Sequence, residues 1–415
     1  MPGSTRVSAG FRKTDEAKSE LALDVQLDQL LNEELRSVLR RERCTFDELT
    51  APFCSSLVLF GAGALDRKTL AGLRRVGIEP LAFTDNDPAK WNTTVDGVTV
   101  LSPPETAHKF GQNAAFVVTI WGGQGTDRMR DRVRQLCDLN CACVVSFGSL
   151  FWKVANVFLP HYALDLPHKV VEQADEVRRA FSVWSDEASR REYLAQLRWR
   201  LMLDFDGLPA SSGHELYFPT DLFALSPAEV FVDCGAYDGD TLRRFFHHQG
   251  GRFGRVIAFE PDPASFRKLR DYASALPEEI RARTKLHQLA VGARRETLRF
   301  TALGTQASAV GTGTLEVDSV ALDDVMRDCV PTYIKMDTEG SEPDALRGSR
   351  QLIERDTPAL AVSLEHRQDD LWRIPLLVRS FSDQYHFFLR PHRLEIWDLT
   401  FYAVPAGRLS GRGRT

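Results

Sequence analysis

Apolar residues recur at helical spacing between about Leu21 and Arg43, at Leu23, Leu27, Leu30, Leu31, Leu35, Val38 and Leu39. This spacing predicts an amphipathic helix that docks on the next domain or pairs with a second copy of the chain. Residues 1–19 ahead of it are polar, and residues 1–49 are read as tail plus helix. From there the pattern changes to short apolar runs alternating with amphipathic ones. Within 50–150 the runs at 57–60, 79–84, 114–121 and 141–147 read as strands. Gly61 and Gly63 form the first turn, and Gly122, Gly123 and Gly125 follow the third strand. Residues 151–228 carry mostly helical patterns, including a long helix at 186–205, and read as a connector. Alternation resumes at 229–405, with strands at 230–235, 255–261, 285–291, 332–337 and 359–366, then a close pair at 385–390 and 395–404. Strand–helix alternation predicts an α/β protein with two doubly wound parallel sheets, both Rossmann-like, the second closed by an antiparallel strand pair. The basic stretch RLSGRGRT ends the chain, and 406–415 is expected to be disordered.

Composition narrows the function. With 43% apolar and 26% charged residues in 415, the chain is a globular protein and not a disordered one. A net charge of -5 excludes the basic excess of a dedicated nucleic-acid binder. No apolar run reaches the length of a membrane span. The seven cysteines are odd in number and sparse, and the first twenty residues hold no apolar signal core. Both features predict a reducing, cytoplasmic setting. Cys137, Cys141 and Cys143 lack a fourth ligand at zinc spacing and read as buried thiols.

The sharpest chemical feature is VFVDCGAYDGDTLRRFF, residues 230–246. An apolar strand delivers Asp233 and Gly235 at its carboxyl end, and Gly239 and Asp240 open a helix. Open α/β sheets bind nucleotide-like ligands at this edge. Glu260 lies 21 residues beyond Gly239, at the end of the next strand, where a carboxylate can accept both hydroxyls of a ribose. The loop lacks the middle glycine that lets a pyrophosphate approach. Asp233 would repel a pyrophosphate but suits an ammonium group, which favours S-adenosylmethionine over a dinucleotide. A structural strand–turn–helix without ligand is the plain alternative.

With these residues in place, the chain resembles the FkbM family of S-adenosylmethionine-dependent methyltransferases over about 229–405. The resemblance rests on VDCGAYDGDT (232–241), AFEPDP (258–263), QLAVG (288–292), VDSVALDDV (317–325), YIKMDTEGSEPDALRG (333–348) and SLEH (363–366), with the lead-in ELYFPTDLFAL (215–225). It implies a class I methyltransferase fold and, chiefly, O-methylation of sugars and natural products. It also implies that Asp233, Gly235, Ala236, Tyr237 and Gly239 form the cofactor loop, with Asp240 behind it. Glu260, followed by Pro261, is then the ribose acid, and Ala290 lies near the adenine. Tyr237 stands where many members have Asn.

Methyl transfer to a hydroxyl needs an in-line approach and a group that takes or orients the proton. Lys335, Asp337 and Glu339 end one strand and Glu365 and His366 the next, on the same sheet edge as the loop. Asp337 or His366 is the expected base or acceptor-orienting group. Lys335 is expected to hold a carboxylate, bind an anionic acceptor group or close the domain by a salt bridge. Glu339 is a candidate for the same chemistry or a helix cap, and His366 has an ordinary hydrogen-bonded reading too. Clustered carboxylates leave metal assistance open, but no metal ligand set is assigned. Acceptor recognition is expected from 151–228 and 293–331, the acceptor being a small molecule or glycan.

GAGALD (61–66) and Asp85 form a second nucleotide-like loop, with Gly61, Gly63 and Asp85 as candidate ligand contacts. Asp66 replaces the third glycine and puts a negative group where a phosphate would sit. Lys90 and Trp91 are further candidates. Two other functions follow: an NAD- or nucleotide-sugar-dependent enzyme run by the first domain, and a non-catalytic binding protein with a degenerate methyltransferase core.

Overall fold

The computed structural model describes residues 6–7, 21–122, 127–301, 309–310 and 315–410. The expectations for most of residues 1–19, for Gly123 and Gly125, and for 411–415 lie outside these residues. Two compact units are formed. One comprises Met1–Ala174, Leu194–Ala210 and Arg393–Trp397, the other Asp175–Tyr193, Ser211–His392 and Asp398–Thr415. The stretch read as a separate connector is thus shared between the units.

In the first unit, Leu57–Phe60 is flanked by Ala115–Val118 and Ala82–Thr84, and beyond these lie Cys143–Ser146 on one side and Val98–Leu101 on the other, all parallel. The strands Leu57–Phe60, Ala115–Val118 and Cys143–Ser146 are buried throughout, as expected where helices cover both faces. Two edges differ from the sequence reading. Arg6–Val7, inside the supposed polar tail, pairs with Cys143–Val144. Val98–Leu101 extends the sheet and carries Thr94–Val95 as an antiparallel edge. The single helix expected at 21–43 is two, Leu23–Leu31 and Leu35–Thr50, with Asn32 capping the first.

The second unit is a seven-stranded sheet. Its strands are β1 (Val230–Cys234), β2 (Arg255–Phe259), β3 (Thr284–His287), β4 (Tyr333–Met336), β5 (Ala359–Ser363), β6 (Tyr385–Pro391) and β7 (Leu399–Pro405). Their order is β3-β2-β1-β4-β5-β7-β6, with β7 antiparallel to both neighbours and the first five strands parallel. The order reverses between β1 and β4, which makes the carboxyl ends of these two strands the topological switch point. Phe231, Phe245, Tyr333, Tyr402 and Val404 form part of the buried aromatic and aliphatic core that holds the sheet.

Three expected elements change. The run at 285–291 splits: β3 ends at His287, and Ala290–Val291 joins a separate sheet with Leu315–Val320, Glu296–Thr301 and Ala309–Val310. The last strand does not begin at 395, because Glu395 and Asp398 have φ of 64° and 51°. Such left-handed residues cannot continue a strand. The supposed disordered tail from 406 is ordered at its start: Ala406–Arg408 forms a 3-10 turn, and Arg408 pairs with the buried carboxylate of Glu229 at 2.7 Å. Among the described residues no helix is long and apolar enough to cross a membrane.

Candidate active site

The switch point is built by one close backbone approach. Gly235 follows β1 with φ +81°, and a Cβ there would lie 1.9 Å from the Asp337 carbonyl oxygen after β4. Only glycine fits both the conformation and the gap. The turn continues through Tyr237, whose φ of 46° is left-handed for a residue with a side chain, to Gly239 at φ +89°. Asp240–Gln249 then begins its helix.

Glu260 locks this turn to β2. Its carboxylate accepts the Tyr237 N–H at 2.8 Å and the Asp262 N–H at 2.7 Å. Each oxygen keeps further acceptor capacity. Burial pushes its pKa up, the two N–H donors hold it down, and the result is about 7. Asp262 in turn caps Pro263–Ser274 by accepting from Ala264 and Ser265. Asp240 and Pro261 are both half-buried, the one opening its helix and the other following Glu260. Ala236 is buried beneath the loop. Ala290 packs with Val317 in the small sheet.

Asp233 and Lys335 are paired in register across β1 and β4. Lys335 is 2% exposed and Asp233 0%, and the ammonium lies 3.1 Å from the Asp233 carboxylate. It also donates to the Gly235 carbonyl at 2.6 Å and sits 3.8 Å from Asp337. Asp233 is therefore engaged with Lys335, whereas the sequence reading turned it toward a ligand ammonium. Burial opposes the charge on both. It pushes Asp233 up to about 6 despite Lys335, while Asp233 and Asp337 overcome burial and hold Lys335 above its ordinary range.

β4 ends at Met336, so strand alternation does not carry Asp337 and Glu339 onto one face. Glu339 has φ 54° and Gly340 φ +93°, and this turn swings both acids toward His366. His366 Nε2 lies 3.6 Å from Asp337 and 3.4 Å from Glu339, and Nδ1 lies 3.0 Å from Glu342. Glu339 does not cap the following helix, Glu342–Arg347, which has no side-chain cap; the turn before it is closed by Glu342, which accepts from the N–H groups of Thr338 at 2.7 Å and Gly340 at 3.0 Å.

Two partners of Asp337 were not singled out in the sequence. The Tyr217 hydroxyl donates to it at 2.8 Å and lies 3.3 Å from the Ser363 hydroxyl. Both sit inside quoted motifs, the lead-in and SLEH, which was the available signal. Burial raises the Asp337 carboxyl, but Lys335 and His366 outweigh it and keep it below the ordinary range. Burial lifts Glu339, and despite His366 it reaches about 8. His366 is held well above its usual value because Glu342 and Glu339 overcome burial. At neutral pH the edge thus presents an ionised Asp337, a protonated Glu339 and an imidazolium.

The first glycine loop is closed by its own acids. Asp66 accepts the Gly63 N–H and Asp85 the Ala62 N–H, both at 2.8 Å. A Cβ at Gly61 would lie 2.5 Å from the Asp66 carboxylate, and Lys90 pairs with Asp85 at 2.8 Å. The Trp91 indole donates to the Asp85 carbonyl.

A sheet of this order, ending in an antiparallel strand pair and with a glycine turn and a strand-end acid at its switch point, is methyltransferase-like. Residues 233–391 match the family model described as methyltransferase FkbM domain, so the chain carries an FkbM-family, S-adenosylmethionine-dependent methyltransferase domain. The crystal structure of a methyltransferase FkbM from Methylobacillus flagellatus KT is similar in fold, with TM-score 0.71 at 22% identity, over 92% of this chain and 98% of that one. Precorrin-6y C5,15-methyltransferase from Geobacter metallireducens GS-15 aligns at TM-score 0.28 and 11% identity, over 44% of this chain and 84% of its own. Aeropyrum pernix fibrillarin, in complex with S-adenosyl-L-methionine, aligns at 0.28 and 12%, over 44% and 70%. Scores that low add nothing to the assignment. No curated protein matches the chain.

Proposed function

We propose that this methyltransferase acts on a hydroxyl of a sugar, glycan or natural product, with Asp337 receiving or orienting the hydroxyl proton. The observation that carries this reading is the setting of Asp337: an ionised carboxylate, 30% exposed, held by Tyr217 and facing His366 at the switch point. The cofactor supplies an electrophilic methyl group. The residues fit it: the turn at Gly235, Ala236, Tyr237 and Gly239 lines the edge, and Glu260 keeps lone pairs for ribose hydroxyls. Lys335 acts as a positioning residue, tying the Gly235 turn to Asp233 and Asp337. His366, charged, balances Asp337 and Glu342 and is not itself the proton acceptor. The self-closed first loop argues against a nucleotide-driven function for the first unit.

The test is methyl transfer from labelled S-adenosylmethionine to a panel of hydroxylated glycans and metabolites, with the product identified by NMR. An O-methyl product is expected. Asp337→Asn should lower turnover about 100- to 10,000-fold, the usual range for losing a proton-transfer group, with S-adenosylhomocysteine affinity kept. An N- or C-methyl product, or full turnover in Asp337→Asn, overturns the proposal.

A further inference from the structure

We propose that Asp337, Glu342 and His366 form a binding site for a divalent metal ion of the manganese(II) class at the reacting edge of the sheet. Each offers one ligand atom, and these atoms lie within 4.8 Å of one another. That spacing lets modest side-chain adjustment bring all three onto one ion. The set mixes two carboxylates with an imidazole, which suits an ion that accepts both oxygen and nitrogen.

Further acids crowd the three. Glu339 stands 3.4 Å from His366. Glu365 and Asp370 complete a group of five carboxyls close to the one imidazole. Lys335 is already engaged by Asp233 and Gly235. A second observation is independent of the triad. Asp370 is 1% exposed, and its Oδ2 has no hydrogen-bond partner among the described residues. Asp370 opens the helix Asp370–Phe381, which packs against the helix that begins at Glu342. An unpaired buried carboxylate oxygen is costly unless a cation or proton answers it.

The route in is open at one side. Asp337 is 30% exposed, while Glu342 behind it is buried. Glu342 is pinned by the N–H groups of Thr338 and Gly340, and a carboxylate that accepts such bonds keeps lone pairs for a metal. Binding would release the imidazolium proton from His366 to solvent, and the ion would take over its place as the positive charge among the acids. The ion would then sit where it can hold an acceptor oxygen, a consequence that rests on the methyltransferase reading. The binding site itself rests only on these side chains.

The test uses the full chain, stripped with chelator and titrated with Mn²⁺ by calorimetry and electron paramagnetic resonance, with Zn²⁺ as a second probe. One ion per chain is expected from either probe, with a rise in melting temperature. His366→Ala and Asp337→Asn should each weaken binding at least tenfold, while Glu260→Gln leaves it unchanged. Circular dichroism checks that the variants fold, and if His366→Ala does not, Asp337→Asn decides. No stoichiometric ion, or equal affinity in the folded variants, overturns the site. S-adenosylhomocysteine binding, measured in parallel with chelator, separates the two readings: ion binding without cofactor binding upholds the site and sinks the methyltransferase reading, and the reverse sinks the site alone.

Discussion

In the proposed cofactor site, Glu260 is the side chain that would couple cofactor binding to pH. It accepts two backbone N–H groups and still faces the cofactor edge. Losing a charged hydrogen-bonding partner costs roughly 1.5–3 kcal/mol. Glu260→Gln should therefore weaken S-adenosylhomocysteine binding about 10- to 100-fold by calorimetry. Burial raises this carboxyl from 4.5 to about 7, so its contribution to folding is fully present below pH 4.5 and is lost as pH rises toward 7. Ribose hydroxyls favour the ionised form, so affinity should climb between about pH 6 and 8 in the native protein and stay flat in Glu260→Gln. Parallel slopes in the two proteins would remove Glu260 from the ribose contact.

Lys335 is the other residue whose surroundings set a magnitude. Both it and Asp233 are buried, so removing one leaves the other charge without an answer. Lys335→Met should cost about 3–5 kcal/mol in urea unfolding, and adding Asp233→Asn should restore part of that loss. A double variant as weak as the sum of the singles would show that the pair is not coupled.

The decisive local element is the turn after β1. It needs a left-handed residue where the backbone of β4 comes within van der Waals reach. Gly235→Ala should lower the melting temperature and abolish cofactor binding together, since its methyl group would strike the Asp337 carbonyl. Retained binding with an unchanged melting curve would mean that the two strands can part there at little cost. The turn after β4 works differently. Glu339 takes a strained φ, and the acids it redirects meet at His366, a device that strand periodicity cannot express.

The two units differ in what their glycine loops leave open. In the second, Glu260 keeps acceptor capacity toward the edge. In the first, Asp66 and Asp85 occupy the loop N–H groups. S-adenosylhomocysteine should therefore raise the melting temperature of the whole chain, by about 2.7 kcal/mol of stability at a hundredfold excess over its dissociation constant. NAD should give no shift. The opposite pattern in differential scanning fluorimetry would transfer the chemistry to the first unit.

The alternation of apolar runs, the glycines at 235 and 239 and the acid at 260 were enough to determine two α/β sheets and to single out the carboxyl edge of the second as the proposed cofactor edge. These are local properties: strand burial, turn conformation and a fixed spacing along the chain. Tertiary structure alone decided the rest. Asp233 meets Lys335 because β1 and β4, distant in sequence, lie in register, and Tyr217 reaches Asp337 from a segment ahead of the sheet. Glu342 closes the turn before its own helix, and 290–291 leaves the main sheet for another. Which carboxylates share a buried cation depends on three-dimensional distance, and no periodicity along one chain encodes that.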